Sequence, residues 1–277
     1  MSRGTVFILS ISADIGAELG AMYADSGWDV VGTYRTLGPA GALQDRPGVH
    51  LLPCDVASRE SVAAMVTAYR ALGRPWDVFI SAVGLLDPIG PWTSLDFDAW
   101  ETSVVVNSTA QLRVLHALFP YRRTGHETHA AFFAGGGTNN PFRNYSAYCV
   151  SKISLIKMCE LLHDEVSDLN AFIIGPGFLP TKIHQQTFDN PEGAGPNVDK
   201  TRAFYARPDG AATYRDIYDC INWCVAQGRA VVGGRNLAAV HDPWRQGGAA
   251  LAAALRGHPD AFRLRRAAAP VVPEGAE

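Results

Sequence analysis

Basic charge is the first thing this 277-residue chain lacks: 24 Lys and Arg stand against 27 Asp and Glu, for a formal charge of −3. That balance leaves no electrostatic footprint for nucleic acid, and no Lys/Arg run points to a membrane surface, so the expected partner is a small molecule. Cysteines are few and odd in number: Cys54, Cys149, Cys159, Cys220 and Cys224. With no signal peptide ahead of them, they are expected to be reduced thiols in a cytoplasmic protein. Cys220 and Cys224 share a helix face, but no His or Cys pair elsewhere completes a zinc site, so buried small hydrophobes and no metal are expected. The apolar start, residues 6–11, has a single Arg before it and no small-residue cleavage site behind it, and so reads as a strand. At 47% hydrophobic and 18% charged, the chain can bury one large core. One domain is expected over residues 1–245. A C-terminal helix and a tail, residues 246–277, follow, with the last residues unpacked.

Short apolar runs at 5–9, 29–33, 49–53, 77–81, 130–134, 171–174 and 230–232 predict seven buried strands. Between them, residues 15–26, 59–72, 97–119, 146–166 and 214–227 carry apolar positions at three- and four-residue spacing, and predict helices. This alternation implies an α/β fold: a single-domain, Rossmann-type, doubly wound parallel sheet of about seven strands with helices on both faces. Right-handed crossovers then leave the strand C-termini to form the ligand crevice. Residues 189–207 show no clear strand or long apolar period and are expected to be a lid or disordered, within a substrate lid and loop region over 178–212.

The first loop, Leu9-Ser10-Ile11-Ser12-Ala13-Asp14-Ile15-Gly16, stands where such a fold turns into its first helix and binds a pyrophosphate on free backbone N–H groups. Glycines are scarce here too. Only Gly16 matches well, whereas Ser10 and Asp14 occupy positions where Gly would let backbone approach phosphate. A carboxylate about 4 Å from a phosphate costs on the order of 4 kcal/mol at an effective dielectric of 20. Asp14 is therefore expected to point away, as an N-cap worth roughly 1 kcal/mol over Ala. Ser10 and Ser12 either offer hydroxyls to the pyrophosphate or form a turn that binds nothing. After strand two, Arg35 rather than an acid favours NADP(H) over NAD(H), since a guanidinium forks onto a 2′-phosphate or stacks on adenine; the alternative is a solvated surface Arg. Asp55 and Val56 after strand three stand by the adenine, or Asp55 only caps the next helix.

Tyr148 and Lys152 lie four apart on one helix face. A nearby ammonium favours the phenolate and lowers the Tyr pKa, so the hydroxyl can exchange a proton with a carbonyl or alcohol oxygen. The spacing alone also describes an exposed helical pair, and the order of the landmarks decides. In that order the chain resembles the short-chain dehydrogenase/reductase family over about residues 4–245. Ser81-Ala82-Val83-Gly84 takes the place of the family's Asn-Asn-Ala-Gly, Asn107 matches its catalytic Asn, Tyr148/Lys152 its Tyr-x-x-x-Lys, and Pro176-Gly177 with Thr181 its nicotinamide-holding segment. The resemblance implies that Tyr148 transfers the proton, that Lys152 also binds the nicotinamide ribose, and that Asn107 fixes a water linking Lys152 to solvent. It implies cofactor contacts from Ala82, Val83, Gly84, Pro176, Gly177 and Thr181.

The family's catalytic Ser is absent from Phe133-Ala134-Gly135-Gly136-Gly137-Thr138. Losing such a donor commonly costs about 10²–10³ in rate. Thr138, Asn139 or a glycine N–H stands in for it, or the three glycines only allow a tight turn. Residues 132–152, with 181–184 and 233–236, further resemble a divergent branch met in polysaccharide and nucleotide-sugar pathways. That implies a polyhydroxylated substrate on a rim of Thr138, Asn139, Asn140, Lys182 and His184 beside Trp92 and Phe142. His184 is either an acid/base or a surface loop residue. Three readings result: an NADP-dependent oxidoreductase, an epimerase, dehydratase or other lyase on the same fold, and a non-catalytic nucleotide binder. Helices 97–119 and 146–166 form the face on which the family makes a homodimer or homotetramer, unless Val104, Leu112, Leu155, Met158 and Leu162 all face the sheet.

Overall fold

The computed structural model of the chain describes residues 2–206 and 212–266. Seven short runs, most of them buried, form strands: β1 (Thr5–Leu9), β2 (Asp29–Tyr34), β3 (Val49–Pro53), β4 (Val78–Ser81), β5 (Thr128–Phe133), β6 (Leu169–Gly175) and β7 (Asn236–Ala238). All pair in parallel, in the order β3-β2-β1-β4-β5-β6-β7. The order reverses between β1 and β4, which opens a crevice at the strand C-termini. This is the expected Rossmann-type doubly wound sheet.

The helices are α1 (Asp14–Asp25), α2 (Arg59–Ala71), α3 (Phe97–Val104), α4 (Ala110–Leu118), α5 (Ser146–Glu165), α6 (Gln185–Asp189), α7 (Pro191–Ala194), α8 (Asn197–Ala206), α9 (Tyr214–Gln227), α10 (Arg229–Val232) and α11 (Gly248–Gly257). Strand side chains alternate between two layers, as the two-residue period demands. Val6 and Ile8 pack with Leu19 of α1, Ile221 of α9 and Leu255 of α11. Phe7 and Leu9 pack with Met65 of α2, Leu118 of α4 and Leu155 of α5. Cys220 and Cys224 are fully buried in the first layer, as small hydrophobes.

Three elements differ from the sequence-based expectation. Residues 230–232 are not a strand. Gly228, at φ 70°, turns the chain, and the Val231 and Val232 N–H groups donate back to the Gly228 carbonyl, closing the short helix α10. Gly234, at φ 72°, then donates its N–H to Ala171 and delivers Asn236–Ala238 to the sheet edge as β7. The helix expected over 97–119 is α3 and α4 joined by a π-turn, Val105–Thr109, which carries Asn107 inward. Of the segment expected to be irregular, residues 189–206 are largely helical: the Asn190 side chain caps α7, and Ala194 and Val198 are buried against Leu86, Ile89, Tyr145 and Tyr148. Residues 207–211 of the expected lid and the tail 267–277 lie outside the described residues.

Candidate active site

The site is built where β4 and α5 meet. The Ser81 hydroxyl donates to Gln111 Oε1 at 2.6 Å, and Gln111 Nε2 donates to the Asn107 carbonyl at 2.7 Å, which locks the π-turn against the end of β4. Asn107, fully buried, then holds the backbone of Leu85: its Oδ1 accepts the Leu85 N–H at 2.9 Å, and its Nδ2 donates to the Leu85 carbonyl at 2.7 Å. This fixes the loop Ala82-Val83-Gly84. Lys152 on α5 donates from Nζ to the Val83 carbonyl at 3.2 Å and is 2% exposed. Loss of hydration lowers its pKa from 10.5 to about 8.

Tyr148 sits one turn earlier, with Lys152 Nζ 5.6 Å from its ring centre. It lines the crevice while only 9% exposed. Burial raises its pKa well above the usual phenol value, with Cys149 adding in the same direction. The expectation of a lowered Tyr148 pKa is corrected: burial raises it, and Lys152 is the group shifted toward neutral pH.

The absent serine has a steric counterpart. Gly135 stands thirteen positions before Tyr148. A Cβ there would fall 2.1 Å from the Tyr148 hydroxyl oxygen and 2.4 Å from Cε1 and Cζ. The phenol thus fills the space a side chain at 135 would need. Gly137 is constrained as well, with φ 86° and a Cβ position 2.3 Å from Cys149 Sγ. The glycines admit the close approach of α5 to the end of β5, a requirement beyond a tight turn.

Ser10 takes the left-handed conformation of a glycine, φ 63°, at a cost of about 1–2 kcal/mol. Its N–H donates to Thr33 Oγ1 at 2.9 Å, its carbonyl accepts the Ala13 N–H at 3.0 Å, and a Cβ on residue 16 would strike that carbonyl, so Gly16 is required. Ile11 is buried against Gly20 and Gly32. Asp14 is not the N-cap: Ala13 holds that position, with no side-chain bond. The Asp14 carboxylate instead accepts the Lys182 backbone N–H at 2.6 Å, with Lys182 Nζ 3.7 Å away.

The crevice encloses about 850 Å³. It gathers Asp14, Ile15, Ala82, Val83, Gly84, Tyr148, Lys152, Pro176, Gly177 and Thr181 on the expected cofactor side, and Thr138, Asn139, Phe142, Lys182 and His184 on the substrate side. Ser10, Ser12, Arg35, Asp55 and Val56 are outside its lining, along the C-terminal ends of β1, β2 and β3. Arg35 is exposed. The Asp55 carboxylate accepts the Ala57 N–H at 2.9 Å, and Ser58, not Asp55, caps α2. Trp92 is 60% exposed outside the crevice, and Asn140 is outside it too, so neither supports the expected substrate contact. Phe142 stacks on Tyr145 at 4.1 Å, which takes one of its faces. His184 stacks on Phe178 at 4.3 Å, and burial lowers its pKa, which favours the uncharged ring. Gln186, Asn197, Lys200 and Thr201 also line the crevice. They were missed because they lie on the helices packed over it, in or beside a segment with no long apolar period.

A dinucleotide suits this crevice in most respects. The start of α1 lines it, and Ser10 already holds the glycine conformation. Asp14 is the one residue that disagrees. Among the described residues, no group of three or more His, Cys, Asp or Glu could hold a metal ion, and no helix is long and apolar enough to cross a membrane.

A model of the short chain dehydrogenase family matches residues 4–192. The chain belongs to the short-chain dehydrogenase family. A serine 3-dehydrogenase of Rhizobium radiobacter is 26% identical over 119 residues, 42% of this chain and 48% of its own length. The NADP-dependent 3-hydroxy acid dehydrogenase YdfG of Salmonella typhi is 24% identical over 152 residues, 53% of this chain and 60% of its own. The chain therefore matches less than two thirds of these relatives. A solved short-chain dehydrogenase/reductase from Saccharomyces cerevisiae superposes with a TM-score of 0.76 at 18% identity, covering 94% of this chain and 100% of the other. That likeness is one of fold.

Proposed function

We propose that this short-chain dehydrogenase is an NADP-dependent oxidoreductase that interconverts a carbonyl and an alcohol on a small polar, sugar-like or hydroxy-acid substrate. The observation that carries it is Tyr148, which lines a crevice at the switch point with the buried Lys152 one helical turn away. When bound, NADPH would supply the hydride for carbonyl reduction, and NADP+ would accept it in the reverse direction. Burial keeps the Tyr148 phenol protonated at neutral pH, ready to donate to a substrate carbonyl oxygen. The Lys152 ammonium beside the ring offsets the charge of the phenolate left behind. Asn107 acts through Leu85, keeping in place the loop whose Val83 carbonyl anchors Lys152. Arg35, exposed at the end of β2, supports a 2′-phosphate, in line with the NADP dependence in the name of the Salmonella relative. The relatives' names, serine and 3-hydroxy acid, support a small hydroxylated substrate on Thr138, Asn139 and Thr201.

The protein is further proposed to be a cytoplasmic homodimer or homotetramer. Its five thiols are free, and Val105 beside α3 with Val150 and Leu161 on α5 leaves apolar surface on the face expected to pair. A second reading, a lyase or epimerase without net redox, is favoured by the position of Asp14 on the phosphate loop. Calorimetric titration of the cofactor-free protein with NADPH and NADH separates the two. Micromolar NADPH binding with weaker NADH supports the oxidoreductase, and no heat with either supports the lyase.

A further inference from the structure

Asp14 places a negative charge where the dinucleotide reading needs room for one. It is the first residue of α1, and its carboxylate reaches sideways to Lys182, 168 residues away in the chain. Oδ2 accepts the Lys182 backbone N–H at 2.6 Å, and Oδ1 lies 3.7 Å from Nζ. The segment 181–184 is tied down elsewhere too. The Tyr205 hydroxyl donates to the Thr181 carbonyl at 3.3 Å, and Ile183 lies over Gly84, 3.1 Å from where its Cβ would be. Asp14, Lys182, Ile183 and Gly84 all line the crevice. The segment is therefore a strap from the first loop to the β4 loop.

The groups that would hold an anion at this place are the backbone N–H groups opening α1 and the N–H and ammonium of Lys182. A carboxylate of the chain itself, on the first residue of α1, already holds the Lys182 pair. We propose that Asp14 is the residue that sets dinucleotide affinity: it acts as a built-in anion that ties Lys182 to the first loop and must release it before a pyrophosphate binds. This rests on the dinucleotide reading above and adds to it a closed strap and a penalty specific to pyrophosphate. Once freed, Lys182 changes partner from the carboxylate to the phosphate, and α1 loses no side-chain cap, because Asp14 provides none.

The test uses D14N, which keeps an acceptor for the Lys182 N–H but removes the charge, and D14A, which removes both. NADPH is titrated by calorimetry into wild type and both variants, with adenosine 2′-monophosphate as a probe that lacks a pyrophosphate. Hydrogen exchange is followed on the Lys182 amide. The expected result is NADPH binding at least tenfold tighter in both variants, unchanged adenosine 2′-monophosphate binding, and faster exchange of the Lys182 amide in D14A. Equal or weaker NADPH binding in the variants, equal tightening of both ligands, or unchanged exchange in D14A would overturn the proposal while leaving the dinucleotide reading intact. No NADPH binding in wild type or either variant would refute that reading, and the proposal with it.

Discussion

Returning a serine to position 135 is where the family resemblance and the geometry of this chain predict opposite results. On the resemblance alone, Gly135→Ser restores an oriented donor worth about 10²–10³ in rate. In this fold the new Cβ would lie 2.1 Å from the Tyr148 hydroxyl oxygen and 2.4 Å from two ring carbons, so the ring or the end of β5 has to move by about 1 Å. Tyr148 has little freedom: it is 9% exposed, Ala147 beside it is fully buried, and Lys152 is bonded across its ring to Val83. Overpacking of this kind costs about 1–3 kcal/mol, which lowers Tm by roughly 2–12 °C in a domain of this size. A catalytic hydroxyl displaced by about 1 Å loses on the order of 10²-fold in rate. The assay is NADPH consumption with a panel of small carbonyl compounds, beside a thermal melt. Gly135→Ala adds the Cβ without the hydroxyl and is expected to lose as much. A Gly135→Ser protein as active and as stable as wild type would refute the reasoning, since Tyr148 would then yield at no cost.

Lys152→Met is expected to abolish turnover and to stabilise the fold. Folded Lys152 titrates near 8 and the unfolded side chain at 10.5, so below pH 8 the full penalty of burying the ammonium, about 3 kcal/mol, opposes folding. Between pH 8 and 10.5 the unfolded chain binds the extra proton, so wild-type stability rises with pH, and the advantage of Lys152→Met in urea denaturation narrows across that window. A gap that does not change with pH would contradict the assignment. Asn107→Ala removes both partners of the Leu85 backbone and is expected to cost about 2–4 kcal/mol of stability as well as activity, measured by denaturant unfolding. Arg35→Ser is expected to weaken NADPH binding about tenfold or more and leave NADH binding unchanged, read by calorimetry.

The sheet was readable wherever burial imposes a pattern. The runs at β1, β2, β4, β5 and β6 are apolar because central parallel strands are covered on both faces, and Tyr148 and Lys152 could be placed on one helix face because α5 is a long regular helix. β7 was displaced because a three-residue edge strand carries no run of its own and depends on the turn at Gly233-Gly234. The π-turn at Asn107 breaks the period on which a helix is recognised. The helices over the crevice pack on Tyr145 and Leu86 rather than on the sheet, so their apolar positions are too few to show a stripe. At the site, residue types were legible and partners were not. Nothing near Asp14 in the chain points to Lys182, and nothing near Tyr148 reveals that burial raises its pKa.

The most direct test of the central claim compares wild type with Tyr148→Phe for NADPH consumption across the carbonyl panel, with NADPH affinity measured alongside. Turnover by wild type, its loss by at least about 10²-fold in Tyr148→Phe, and unchanged NADPH affinity are the predicted result. Turnover by Tyr148→Phe at the wild-type rate would contradict a proton transfer centred on this phenol.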